Sequence, residues 1–89
     1  MMSERAVDNE VSMTRLAWQC RRGMLELDLL LVGFLEKNYS QLDAVSKQAF
    51  VELLDIADAE LLEYLMGRHV HKEAHIQHVI TLIRKRTES

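Results

Sequence analysis

Not one proline interrupts these 89 residues, and glycine occurs only three times, at Gly23, Gly33 and Gly67. Strong helix formers fill the space between them, and no stretch alternates apolar and polar residues as a half-buried strand would. A chain with so few breakers has the helix as its regular option, and the expected fold class is all-α. The length makes one domain, residues 1–89, with residues 1–9 reading as a tail. Hydrophobic residues make up 48% of the chain, too many for wholly disordered polypeptide. No internal repeat or low-complexity tract divides it.

Five helices follow from the apolar periodicity. The first runs from about Glu10 to Arg21, with Met13, Leu16, Ala17 and Cys20 as its inner stripe. The second runs from about Met24 to Lys37. Leu29, Leu30, Leu31, Val32, Phe34 and Leu35 surround its axis, which predicts a central, buried helix, and Gly33 either admits a neighbouring helix or is simply tolerated. Residues 38–41 connect to a third helix over about Ala44 to Ile56, capped by Asp43, with Phe50, Leu53, Leu54 and Ala57 inward. Asp58 is placed as the cap of a short fourth helix carrying Leu61, Leu62, Leu65 and Met66, stopped by Gly67. The fifth covers about Lys72 to Arg86, with Ile76, Val79, Ile80 and Ile83 as its core stripe.

Charge and apolar content exclude several classes. A net charge of -3 does not suit a nucleic-acid binder. Met1 to Glu10 is polar and acidic, without the apolar core of a targeting segment. The longest apolar run, Leu29 to Leu35, falls far short of the ~20 residues that cross a bilayer. A lone cysteine forms no internal disulfide. The expectation is a soluble cytoplasmic protein without direct membrane insertion.

The densest chemistry lies between the first two helices, in Trp18-Gln19-Cys20-Arg21-Arg22-Gly23-Met24-Leu25-Glu26-Leu27-Asp28. Arg22 and Glu26 stand four apart and share a face if helix continues through Gly23. The glycine either ends one helix and begins the next or marks a place where another backbone comes close. Arginine offers a planar fork of donors to a carboxylate or carbonyl, and Glu26 can accept from a partner or hold Arg22. Arg21 and Asp28 flank this pair. Trp18 is off the inner stripe, either packed on a neighbouring helix or partly exposed.

Trp18-x-Cys20-Arg21-Arg22-Gly23-Met24-x-Glu26-Leu27-Asp28 closely resembles the signature of the SdhE (YgfY) family, small bacterial proteins that assist covalent attachment of FAD to the flavoprotein subunit of succinate dehydrogenase. The family's Arg-Gly-x-x-Glu motif falls on Arg22, Gly23 and Glu26. The resemblance continues through Phe34-Leu35-Glu36, Leu53-Leu54 before Asp55, and Leu65-Met66-Gly67. It implies a small five-helix bundle that is not an enzyme, holds no cofactor stably, and binds the flavoprotein subunit of succinate dehydrogenase or fumarate reductase through Arg22, Gly23 and Glu26. Arg21, Asp28 and Trp18 are its flanking candidates. Some members are described as antitoxins, so an antitoxin-like interaction module is the rival reading. A small dimerising helical domain is a third.

Two other features have the composition of possible sites. His71, His75 and His78 fall at i, i+4 and i+7, a spacing that can place metal ligands, but no Cys or Asp lies alongside and a solvated polar face is the expected role. Cys20, on the inner stripe, reads as a small buried hydrophobe rather than a reactive thiol. No phosphate-cradling loop or nucleophile-base arrangement can be assigned.

Overall fold

The computed structural model describes residues 13–88. Its five α-helices and one short 3-10 turn include no strand among the described residues. Helix α1 covers residues 13–19; the expected start near Glu10 and the tail 1–9 lie outside the described residues. Leu16 and Cys20 enter the core from its inner stripe and Ala17 packs at the margin. Met13 is exposed instead, one turn beyond the last residue of α1 that reaches the core.

Helix α2, Leu25–Lys37, buries Leu27, Leu31, Phe34 and Leu35. The expectation of a central, buried helix holds for one face and is corrected for the other. Leu29 is 65% exposed and Leu25 72%, while Leu30 and Val32 are only partly covered. A domain of this size has too few neighbours to surround a helix; among the described residues α2 packs on one side against α5 and the 3-10 turn Tyr39–Gln41, and its Phe34 also reaches Phe50. Gly33 accommodates a side chain rather than a helix backbone: a Cβ there would stand 3.1 Å from both terminal nitrogens of Arg86.

Asp43 caps α3, Ala44–Leu53, by accepting the Ser46 N–H at 2.8 Å. The helix ends three residues before the expected Ile56. Its last turn tightens into i to i+3 bonds from the amides of Leu54, Asp55 and Ile56 to the carbonyls of Val51, Glu52 and Leu53. Ala57 therefore leaves the inner face of α3 and becomes the exposed N-cap of α4, Asp58–Leu65, with Asp58 as its first helical residue rather than its cap. Gly67, at φ +79°, stops α4 as expected. The amides of Arg68 and Gly67 donate to the carbonyls of Glu63 (2.9 Å) and Tyr64 (3.1 Å), the paired bonds of a Schellman motif.

Helix α5, Ala74–Glu88, sits two residues later than expected at each end. Its stripe of Ile76, Val79, Ile80 and Ile83 is buried as the periodicity requires, against α2, α3 and α4. Phe34 and Phe50 meet within this core at 5.5 Å between ring centroids. Among the described residues no helix is long and apolar enough to cross a membrane.

Candidate functional site

Gly23 interrupts the helical path between α1 and α2. Its φ of +84° is open to glycine at little cost and strained for any other residue type. The helix does not continue through it, so Arg22 and Glu26 do not share a helical face. Of the two sequence readings of Gly23, the structure bears out the break. The space around it is also open, for a Cβ built there meets no atom within 4 Å.

Residues 20–24 form a short loop, and two contacts fix it. Asp28 reaches back from the beginning of α2: its Oδ1 accepts the backbone N–H of Arg22 at 2.7 Å and its Oδ2 that of Gly23 at 3.3 Å. Met24, the N-cap of α2, supplies no side-chain acceptor. Asp28 thus serves the amides of the two residues before the cap, from a position where the helix dipole also favours negative charge.

The second contact is the Arg22 side chain, which turns inward. Its Nε donates to Asp58 Oδ1 at 2.6 Å, and its Nη2 donates to the carbonyls of Leu54 and Ile56, both at 2.9 Å. These carbonyls lie where α3 has just ended, at the negative pole of its dipole, and lack the partners that further helical turns would supply. Asp58, in the first turn of α4, completes the cradle. The Arg22 side chain is only 14% exposed, and a charge so covered needs partners of this kind. Nη1 is buried and finds no acceptor among the described residues. The fork read from the sequence as facing a partner is therefore held by the chain's own connector between α3 and α4. Nor does Glu26 hold Arg22; the carboxylates at Arg22 are those of Asp28 and Asp58.

What remains outward is a compact set. Glu26 is exposed in the first turn of α2, Arg21 and Gly23 are exposed in the loop, and Trp18 is 72% exposed at the end of α1. Trp18 and Arg21 share a shallow groove with Thr14 and Ala17. The side chains of Leu25 and Leu29, four apart on α2, stand out beside Glu26. The sequence reading assigned Leu29 to a buried helix and did not single out Leu25. It also gave Asp58 no role at the motif, because nothing local signals a contact across the chain.

The remaining candidates have structural duties. Cys20 is fully buried, and desolvation pushes its thiol from 9.0 up to about 11, with Arg22 pulling the other way and Asp28 adding to the rise. His71 accepts the Glu73 N–H on Nδ1 at 2.9 Å just before α5. His75 pairs with Glu52 across α5 and α3, Nε2 to Oε1 at 2.8 Å. That hydrogen bond, helped by one from Gln48, holds the Glu52 carboxyl below its ordinary range. His78 is exposed. The histidine face is thus less uniform than a solvated stripe, and among the described residues no three His, Cys, Asp or Glu side chains converge on a point where an ion would sit.

Comparison with known proteins adds a family context to this geometry. Residues 14–87 match the family described as flavinator of succinate dehydrogenase. The chain is 38% identical over 82 residues to the FAD assembly factor SdhE of Pectobacterium atrosepticum, covering 92% of this chain and 90% of that protein. It is 38% identical over 79 residues to the protein of the same name from Colwellia psychrerythraea, covering 89% and 87%. Against that of Pseudomonas aeruginosa it is 36% identical over 80 residues, covering 90% and 95%.

Proposed function

This chain belongs to the SdhE family of FAD assembly factors, and on that premise we propose that it binds the flavoprotein subunit of succinate dehydrogenase and promotes covalent attachment of FAD to it. The observation that carries the reading is the family match across residues 14–87, which spans the loop between α1 and α2 with its outward Arg21 and Gly23, and the exposed Glu26 at the start of α2. Arg22 and Asp28 shape that loop, and Trp18 borders it. The flavoprotein of fumarate reductase is the second partner of the same chemistry.

The protein acts by binding and forms no bond itself. It holds no FAD stably, and it works in the cytoplasm, where the flavoprotein acquires its flavin. Covalent attachment uses a histidine of the flavoprotein. The assembly factor selects the flavoprotein conformation in which that histidine meets the flavin ring. Such a shift requires tighter binding to the competent conformation than to the others, by about 5.5 kcal/mol for a complete reversal of a 1:99 population. A rigid, outward loop suits this role, because a preordered surface loses little entropy on docking.

The test compares cells carrying the wild-type chain with cells lacking it. Covalent flavin fluorescence of the succinate dehydrogenase flavoprotein in a denaturing gel is expected to be strong in the first and weak in the second. Equal fluorescence would overturn the proposal.

A further inference from the structure

The loop between α1 and α2 is anchored at its head by the buried Cys20, and beyond that residue it meets the body of the protein through few groups. Arg21 and Gly23 are exposed and Met24 is only half-buried. The loop's long-range polar tie is the Arg22 guanidinium, which spans 36 positions of sequence to reach Asp58 and 32 and 34 to reach the Leu54 and Ile56 carbonyls. At the far end, this connector is itself rigid. Leu53 and Leu54 before it and Leu61 after it are core residues, and Ala57 and Asp58 begin a helix. Between the buried Cys20 and Leu27, the orientation of Gly23 is therefore referred, through one polar side chain, to the junction of α3 and α4.

We propose that Asp58 is a positioning residue of the recognition loop: through Arg22, and with the Leu54 and Ile56 carbonyls, it sets the geometry in which Gly23 and Glu26 meet the partner. This deepens the flavoprotein-binding reading above and rests on it. Asp58 lies well outside the motif, yet it is the only acidic side chain bonded to the motif's arginine side chain among the described residues. The two carbonyls fix where the guanidinium plane lies, and the carboxylate on Nε fixes its rotation about that point, so the three acceptors together leave the side chain one orientation. Losing Asp58 releases the rotation while the core stays packed.

The experiment uses the full chain with Asp58→Ala and Asp58→Asn, the second keeping an oxygen acceptor without the charge. Amide hydrogen exchange is measured residue by residue, together with affinity for the purified flavoprotein subunit. In Asp58→Ala the Arg22 and Gly23 amides, both now on Asp28, are expected to exchange at least tenfold faster, with Val79 and Ile80 in α5 little changed. Affinity is expected to fall roughly tenfold, and Asp58→Asn to lie between. Wild-type affinity in Asp58→Ala overturns the proposal, as does weakened binding with unchanged loop exchange, which would make Asp58 a direct contact. Equal acceleration at Val79 and Ile80 would make it a general stabiliser and also overturns it. Failure of the wild-type chain to bind the flavoprotein is a separate result: it removes the functional reading, while the exchange data still report whether Asp58 sets the loop.

Discussion

Asp28 holds Arg22 by its backbone: Oδ1 accepts the Arg22 N–H at 2.7 Å, while the side chain of the same arginine is anchored elsewhere. A carboxylate serving amides in this way stabilises the loop by a charge-assisted bond. Replacing it by Asp28→Ala leaves two partly accessible amides to water and is expected to cost about 1–1.5 kcal/mol. For a domain of this length that is a drop of roughly 4–12 °C in melting temperature. Thermal unfolding followed by circular dichroism measures it, and an unchanged midpoint would mean that the bond contributes nothing.

Arg22→Lys separates an inward clamp from an outward contact. Lysine keeps the charge but offers a compact ammonium in place of a planar fork, and it cannot meet Asp58 and two carbonyls in their present positions. The expected loss is about 2 kcal/mol of stability in the isolated protein, before any partner is added. A lysine variant with wild-type stability would contradict the role the geometry gives Arg22.

Cys20 predicts a pH dependence of known sign. Burial raises the folded-state thiol from 9.0 to about 11, so between these values the unfolded chain loses a proton that the native protein keeps. The corresponding stability is present in full below pH 9 and is lost as pH rises through 11. At pH 8 a thiol reagent should react with the folded protein at least ~100-fold more slowly than with the chain in denaturant, since both thiolate fraction and access fall. Comparable rates in the two conditions would place Cys20 at the surface.

Much of this architecture is legible in residue spacing. The α5 stripe, the Asp43 cap and the Gly67 stop are local devices, each contained within a few residues. Arg22 is different. Its acceptors lie 32 to 36 positions away, and no periodicity in the sequence announces them. The same contact is tied to the other misreading, the length of α3, because the carbonyls beyond Leu53 leave the helical ladder and bond to the guanidinium. Leu25 and Leu29 were hidden for a related reason: apolar content places a helix near the core but does not say which of its faces lacks a neighbour. The candidate site residues lie together in one motif, and the structure divides them into an outward set, Arg21, Gly23, Glu26 and Trp18, and a supporting pair, Arg22 and Asp28.

Gly23→Arg should leave a folded protein that does not bind the flavoprotein. The positive φ makes any side chain strained there, at about 1–2 kcal/mol, but the surrounding space is empty and no core is invaded. A long cationic side chain projecting from the loop would then block close approach. Circular dichroism and partner binding on the same sample test both halves, and an unfolded variant would show Gly23 to be essential to the fold rather than to the surface.

Glu26→Ala sets the sharpest contrast between stability and binding. Glu26 is exposed in the first turn of α2, and its side chain has no hydrogen bond or ion pair with another of the described residues. Within the isolated chain it contributes through the helix dipole, so its loss should cost only about 0.3–1 kcal/mol. A charge-assisted hydrogen bond from Glu26 to a partner would be worth ~1.5–3 kcal/mol. The second effect exceeds the first, and affinity for the flavoprotein should fall roughly tenfold or more while the melting temperature moves by a few degrees. In cells, covalent flavin fluorescence of the flavoprotein should drop towards the level of the deletion. A normal signal in Glu26→Ala, with a weak one in the deletion, would keep the assembly function and take Glu26 out of the contact surface, leaving Arg21, Gly23 and the exposed Trp18 to carry it.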